Sequence, residues 1–328
     1  MKISVIGAGS WGTALAMMLN DNHHEVTLWS IIQDEVDMLN KYREHIDKLP
    51  GIPLKEGIVI TSNQEVATKD QEILVFAVPS PFIRKTAQLL KPYISKNQII
   101  VNVAKGLEDG TLFTLQEVIN DVLPENDVVI LSGPSHAEEV ARNIPTSVVV
   151  ASRNENIIKI VQDAFMNEVF RVYGSKDMTG IEIGGSLKNV IALAAGISDG
   201  LGFGDNTKAA LMTRGMAEIS RLGAAMGANP ATFNGLSGIG DLIVTCTSMH
   251  SRNRRAGMLI GKGAKLQEAL DEVKMVVEGV YAAKAGLHLA QKFGVEMPII
   301  EQINKVLFED KDPKEAVVEL MCRDKKFE

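Results

Sequence analysis

The chain has 328 residues, 45% of them apolar and 23% charged, with a formal net charge of −7. That length suits two domains rather than one core. The acidic balance, with an aromatic content of only 5%, argues against a nucleic-acid binder built on basic patches and base-stacking residues.

Only two cysteines are present, Cys246 and Cys322, in no CxxC arrangement. This fits a reduced compartment with no disulfide framework. The first residues, Met1-Lys2-Ile3-Ser4-Val5-Ile6, run straight into a strand with no signal-peptide pattern. No apolar run is read as reaching the ~20 residues that cross a bilayer. The expected location is cytoplasmic, without membrane insertion.

Strands are expected at Ile3–Ile6, Val26–Trp29, Ile58–Ile60, Ile73–Val78, Ile99–Val103, Val128–Leu131 and Ser147–Ala151, with helical patterns between most of them. Short apolar strands alternating with helices predict a parallel sheet covered on both faces. After about Lys176 the strand-like runs stop, except at Leu242–Cys246. Helices are expected over Ile181–Ile197, Thr207–Met226, Ser251–Ile260 and Val280–Lys292. The architecture read from this is an α/β Rossmann-type dinucleotide-binding domain over residues 1–180, followed by an all-α domain over 181–328. No internal repeat is visible.

The motif Gly7-Ala8-Gly9-Ser10-Trp11-Gly12 follows the first strand and opens a helical pattern. That context gives GxGxxG its meaning. Gly7 permits a tight turn, Gly9 lets backbone approach a pyrophosphate, and Gly12 allows close helix–strand packing. The helix N-terminus supplies N–H groups for the phosphates. The second strand ends Trp29-Ser30-Ile31-Ile32-Gln33. It carries neither the carboxylate that favours NAD nor an arginine for a 2′-phosphate, so NADH and NADPH both stay open.

Lys105 lies at the carboxyl end of a strand, where open α/β sheets bind ligands; a solvated loop residue is the competing reading. "ILSGPSHAEEV" repeats a strand, then Gly133, then Pro134 at an expected helix start. In "IEIGGSLKNVIALAAG", Gly184 and Gly185 share a helical face with Lys188. The glycines are read as leaving room for a substrate beside it. Burial in this apolar run disfavours the charged lysine, which suits a general acid/base. A snorkelling surface lysine is the alternative. The histidines show no metal-ligand spacing and there is no GxSxG elbow.

In "SGIGDLIVTCTSMHSRNRRAG", Ser251 is placed to cap a helix whose first turn holds Arg252 and Asn253. A helix start, a guanidinium and an amide together suit a phosphate dianion. Arg254 and Arg255 point elsewhere around the helix and are read as surface. Asp241 is read as structural, as a binder of a substrate hydroxyl, or as a partner for a lysine ammonium.

The stretches "VIGAGSWGTALA", "VNVAKGLE", "SGPSHAEEVA", "GGSLKNVIALAAGISDGLGFGDNTKAAL", "TRGMAEISRLG" and "LSGIGDLIVTCTSMHSRNRRAG" occur in that order along nearly the whole chain. On these the chain resembles the bacterial NAD(P)-dependent glycerol-3-phosphate dehydrogenases. The resemblance implies reversible conversion of dihydroxyacetone phosphate and NAD(P)H to sn-glycerol 3-phosphate, a phospholipid precursor. It implies that Lys188 exchanges the proton at the C2 oxygen and that Lys105 lies near both nicotinamide and substrate. Asn189 and Asp241 would assemble the polar site, and Ser251, Arg252 and Asn253 would hold the substrate. Gly133 and Ser135 would touch substrate. Ser10, Trp11, Ala137, Val276 and Glu278 would touch cofactor, as would Arg252. A homodimer is also implied. Many relatives carry a basic residue where this chain has Ile31-Ile32, which puts an NADP preference in doubt. A β-hydroxyacid dehydrogenase and a non-catalytic nucleotide-sensing module are the rival readings.

Overall fold

Runs dense in isoleucine, valine and leucine are buried on both faces only when a sheet is covered by helices on each side. Among the described residues ten strands form: β1 (Lys2–Ile6), β2 (Glu25–Trp29), β3 (Glu44–His45), β4 (Leu49–Pro53), β5 (Ile58–Thr61), β6 (Ile73–Phe76), β7 (Ile99–Asn102), β8 (Val128–Ser132), β9 (Thr146–Ala151) and β10 (Phe170–Ser175). The structure is a computed structural model that describes residues 1–325 and 327. It divides into two compact units, one of Met1–Lys105 with Phe113–Ile181, the other of Gly106–Leu112 with Glu182–Glu328.

In the first unit eight strands make one sheet in the order β10-β9-β8-β7-β6-β1-β2-β5. All pairings are parallel except β8 with β9. The chain runs outward from β1 through β2 to β5, then returns to the other side of β1 as β6. The carboxyl ends of β1 and β6 therefore form the switch point at which such sheets take up ligands.

The strands expected in this unit are present, and two further features join them. β10 alternates buried Phe170 and Val172 with exposed Arg171 and Tyr173, as an edge strand does. β3 and β4 form a small separate ribbon that holds Pro50, Gly51 and Pro53.

The second unit is helical. Its central helix, Met178–Gly200, extends past the expected ends at both sides. By length and composition it is apolar enough to cross a bilayer, which corrects the expectation that no such run exists; every residue of its most apolar stretch is buried inside the fold. Around it lie Asp205–Ala225, Arg252–Gly261 and Glu278–Phe293. Leu266–Val273, Pro298–Phe308 and Pro313–Met321 complete the second half. Leu242–Cys246, expected as a strand, lies within the helix Asp241–Thr247.

Glycines let two of these helices meet at backbone contact. A Cβ on Gly196 would sit 2.1 Å from the Arg254 carbonyl oxygen, and one on Gly257 would sit 2.1 Å from that of Leu193. Gly200 faces Met258 O at 2.4 Å and Gly261 faces Ile197 O at 2.3 Å in the same way. Two glycines one turn apart on each helix interlock, so Arg252–Gly261 has one seating on the central helix.

Glu218, on Asp205–Ala225, is 2% exposed and accepts hydrogen bonds from the N–H groups of Ile299 and Ile300 at 2.9 and 3.4 Å. It thereby caps the start of Pro298–Phe308 from another helix. Burial pushes its carboxyl up to about 7, against the lowering effect of those two bonds.

Two outcomes follow. Gly257→Ala should cost about 1–3 kcal/mol in stability through overpacking, whereas Gly204→Ala, whose Cβ meets nothing within 4 Å, should be near neutral. Thermal unfolding of both variants checks this, and equal Tm values would contradict it. For Glu218 the folded carboxyl titrates above the ordinary value of 4.5. Its contribution is fully present below about pH 4.5 and is lost as pH rises through about 7. Glu218→Gln keeps an acceptor but cannot ionise. The wild-type Tm should fall relative to that variant across this window, and parallel Tm–pH curves would refute the assignment.

Candidate active site

In the first unit, Gly7 leaves β1 with φ of +116°, a conformation that glycine adopts without strain. Any side chain there would also meet Val78 at 2.9 Å and the Ala77 backbone at 3.0 Å. Ser10–Asp21 begins immediately after Gly9, and a Cβ on Gly12 would lie 1.9 Å from the Gly7 carbonyl oxygen. Each outer glycine is thus demanded by packing. Gly9 is different: a Cβ there would meet nothing within 4 Å. The opening it leaves, in front of a helix N-terminus, fits a dinucleotide pyrophosphate. Ser10 and Trp11 form the first turn, both half-buried.

Lys105, just beyond β7, donates from Nζ to the Gly133 carbonyl oxygen at 2.9 Å. Ser135 Oγ donates to the same oxygen at 3.0 Å. Gly133 follows β8 with φ of +135°, and a Cβ there would meet Val148 Cα at 3.0 Å. Lys105, Gly133 and Ser135 are therefore one cluster at the carboxyl edge of the sheet. The helix expected to start at Pro134 is shorter than expected: a single turn, Ala137–Val140, with His136 in the capping position.

In the second unit, Lys188 is 5% exposed and Asp241 1% exposed. Lys188 Nζ lies 2.6 Å from Asp241 Oδ1 and 2.6 Å from Thr245 Oγ1. Thr245 Oγ1 in turn donates to the Asp241 carbonyl oxygen at 2.6 Å. A buried ammonium is tolerated when a carboxylate and a further acceptor surround it. Asp241 is therefore the partner of the lysine ammonium, one of the three roles open to it from sequence. The reading of Leu242–Cys246 as a strand hid Thr245: on a helix, positions 241 and 245 share a face. Gly184 also has a different reason from the one expected. A Cβ there would meet the Ser237 carbonyl oxygen at 2.9 Å, so it admits the 237–238 backbone rather than leaving space for a substrate.

A second polar chain runs beside the first. Asn253 Nδ2 donates to Asn189 Oδ1 at 2.9 Å, and Asn253 Oδ1 accepts from Gly279 N–H at 2.8 Å. Gly279 had no sequence signal beyond lying near Glu278. Its missing Cβ, which would stand 2.5 Å from Asn189 O, allows Glu278–Phe293 to start here. Val276 and Glu278 are half-buried at this start. Ser251 caps Arg252–Gly261 as expected, accepting from Arg254 N–H at 3.2 Å, and Arg252 is the first helical residue.

Arg254 is not a surface residue. Its Nε lies 2.7 Å from Asp199 Oδ2, while Lys208 holds Asp199 Oδ1 at 2.7 Å, all three side chains 15% exposed or less. The i,i+3 step from Ser251 turns Arg254 inward toward the central helix. Arg255 is exposed, as read.

The family model for the NAD-dependent glycerol-3-phosphate dehydrogenase N-terminus matches residues 2–158, and that for the C-terminus matches 177–318. A glycerol-3-phosphate dehydrogenase [NAD(P)+] of Agathobacter rectalis is 60% identical over 100% of this chain and 97% of its own length. That of Fusobacterium nucleatum is 58% identical over 100% and 98%. A crystal structure of glycerol-3-phosphate dehydrogenase from Coxiella burnetii has a TM-score of 0.95 at 39% identity, covering 98% of this chain and 99% of that one. The chain belongs to the NAD-dependent glycerol-3-phosphate dehydrogenase family, oxidoreductases that use NADH or NADPH.

Proposed function

We propose that Lys188 exchanges the substrate proton in the family's reaction, the interconversion of sn-glycerol 3-phosphate and dihydroxyacetone phosphate. The observation that carries this is the buried Lys188–Asp241–Thr245 cluster, 2.6 Å at each lysine contact, in a chain of this family. Nicotinamide, when bound, takes up or supplies the hydride at C2. In oxidation the amine of Lys188 takes the C2 hydroxyl proton; in reduction its ammonium returns one to the C2 oxygen. Asp241 and Thr245 hold Nζ in place through both directions, since an aimed donor needs no reorganisation as charge develops.

Lys105, Gly133 and Ser135 serve substrate and nicotinamide from the sheet edge, where Lys105 is already aimed by Gly133 O. Ser251, Arg252 and Asn253 hold the substrate phosphate. The N–H groups at the start of Arg252–Gly261 and the Arg252 guanidinium supply the donors a dianion needs. Asn253 also supports the site through Asn189. The Gly7–Gly12 loop with Ser10, Trp11 and Ala137 binds the dinucleotide in the first unit; the cofactor residues of the second unit are Val276, Glu278 and Arg252. Binding the phosphate, remote from the reacting carbon, positions that carbon for hydride transfer. The division of labour is thus a dinucleotide-binding first domain and a catalytic helical second domain.

Free Cys246 and Cys322 fit a reducing cytoplasm, where glycerol 3-phosphate feeds phospholipid synthesis. A homodimer is the assembly expected of the family, and sedimentation equilibrium would read it as twice 35.6 kDa.

Steady-state kinetics with dihydroxyacetone phosphate tests the two key roles together. Lys188→Ala should lower kcat by about 10²–10⁴-fold with NADH affinity unchanged. Arg252→Ala should chiefly raise the KM for dihydroxyacetone phosphate. A Lys188→Ala enzyme with near-normal kcat, or an Arg252→Ala enzyme with an unchanged KM, would remove the corresponding role.

A further inference from the structure

In a sheet of this topology the carboxyl end of the second strand receives the adenosine ribose of a dinucleotide. What stands there decides whether that ribose carries a 2′-hydroxyl or a 2′-phosphate. In this chain β2 runs into Ser30-Ile31-Ile32-Gln33-Asp34-Glu35-Val36-Asp37, which contains three acids and no lysine or arginine.

The loop is held from behind. Ser30 Oγ donates to the Glu35 carboxylate and accepts from Ile32 N–H at 3.2 Å, which fixes the turn from the strand into Gln33–Tyr42. Glu35 is 8% exposed and His45 1% exposed, with His45 Nε2 3.0 Å from Glu35 Oε1. Lys48 Nζ is also hydrogen-bonded to that oxygen. Burial alone would raise the Glu35 carboxyl, but the bonds from His45, Lys48 and Ser30 outweigh it and hold it at about 2. Glu35 is therefore ionised at any working pH.

Two cations beyond the helix that follows this strand are turned elsewhere. Lys48 is bound to Glu35, and Arg43 donates to the carbonyl oxygens of Lys55 and Ile58. Polar side chains beside the loop are committed too: Trp29 Nε1 donates to Ser62 O at 3.0 Å and Gln33 Nε2 to Asp37 at 2.7 Å. The side chains left facing outward are Ile31 and Ile32, 66% and 52% exposed. Asp34, also exposed, adds negative charge to the first turn of the following helix.

We propose that this strand end selects NADH over NADPH, with Ile31 and Ile32 as the specificity-determining residues and Glu35 as the positioning residue behind them. A 2′-phosphate dianion arriving here meets two apolar side chains and an acidic helix start, and finds no guanidinium to pair with. A ribose with a free 2′-hydroxyl loses nothing comparable. Ser30 cannot compensate, because its one proton is already given to Glu35 and its oxygen offers a phosphate only lone-pair repulsion.

The inference rests on a dinucleotide lying across the Gly7–Gly12 loop. Isothermal titration of the intact protein with NADH and with NADPH, without substrate, tests both at once. NADPH should bind at least about ten times more weakly than NADH, since no arginine fork meets the phosphate. The gap should narrow between about 0.05 and about 0.5 M salt as the acidic turn is screened. The double variant Ile31→Arg/Ile32→Arg should tighten NADPH by at least about tenfold and leave NADH within about twofold. Equal affinities of the wild type for the two cofactors would overturn the proposal, whether or not the variant folds. So would a folded double variant, judged by circular dichroism, that gains nothing for NADPH. Failure of NADH itself to bind would overturn the placement of the dinucleotide, a result distinct from equal affinities.

Discussion

A single ammonium inside the most apolar helix of the chain constrains the second unit more than any other group. Lys188 is flanked by Leu187, Val190 and Ile191, each fully buried, and is itself only 5% exposed. Removing such a charge from water costs several kcal/mol, even after relaxation, unless it is paired and hydrogen-bonded. The pairing comes from one further turn of structure. Asp241 and Thr245 stand one helical turn apart on Asp241–Thr247, and both reach Nζ at 2.6 Å. The helix 241–247 must therefore pack where it does, and Gly184 admits the Ser237 backbone that leads into it. On the role proposed for Lys188, catalysis and folding share this constraint: the groups that make the buried charge tolerable also aim Nζ.

The neighbouring helix is fixed by close backbone approach as well as by charge. Gly196 and Gly200 on the central helix interlock with Gly257 and Gly261, so backbone touches backbone. That seating carries the start of Arg252–Gly261 to Asn189, where Asn253 bridges to Gly279 N–H and ties in a third helix. The Asp199 carboxylate, shared by Lys208 and Arg254, locks the same helix from another side. Ser251 and Arg252 thus sit at the end of a rigid element. The phosphate site proposed at this helix start would benefit, because donors held in place lose little entropy when an anion arrives.

Much of this was legible in the order of residues. GxGxxG after an apolar strand identified the switch-point loop, and the spacing of Ser251, Arg252 and Asn253 located a capped helix start. Lys188 stood out as a charge within an apolar run. What stayed hidden has physical reasons. Leu242–Cys246 is rich in β-branched residues, and local propensity favours a strand; tertiary packing made it a helix, so Thr245 was not seen beside Asp241. Arg254 carries a charge that a sequence reads as solvent-facing, yet its partner Asp199 is 55 positions away. The edge strand β10 shows only alternation, without the continuous apolar run of the central strands. Backbone close approach, as at Gly196 and Gly257, depends on which helix lies opposite, and no local pattern records that. The loop after β2 carries neither carboxylate nor arginine at its tip, and that much is plain in the sequence. The buried Glu35 that holds it lay beyond reach, because its partners His45 and Lys48 come from a ribbon no periodicity foretold.

The central claim is that Asp241 stabilises the Lys188 ammonium and that this lysine carries the substrate proton. The pH dependence of kcat for glycerol 3-phosphate oxidation, compared between wild type and Asp241→Asn, tests it most directly. Oxidation needs the neutral amine, so the rate rises with pH as the ammonium loses its proton. Removing the carboxylate weakens the hold on that proton. The account predicts that the rising limb moves to lower pH in Asp241→Asn, with NADH affinity unchanged. A rising limb at the same pH in both enzymes would contradict it.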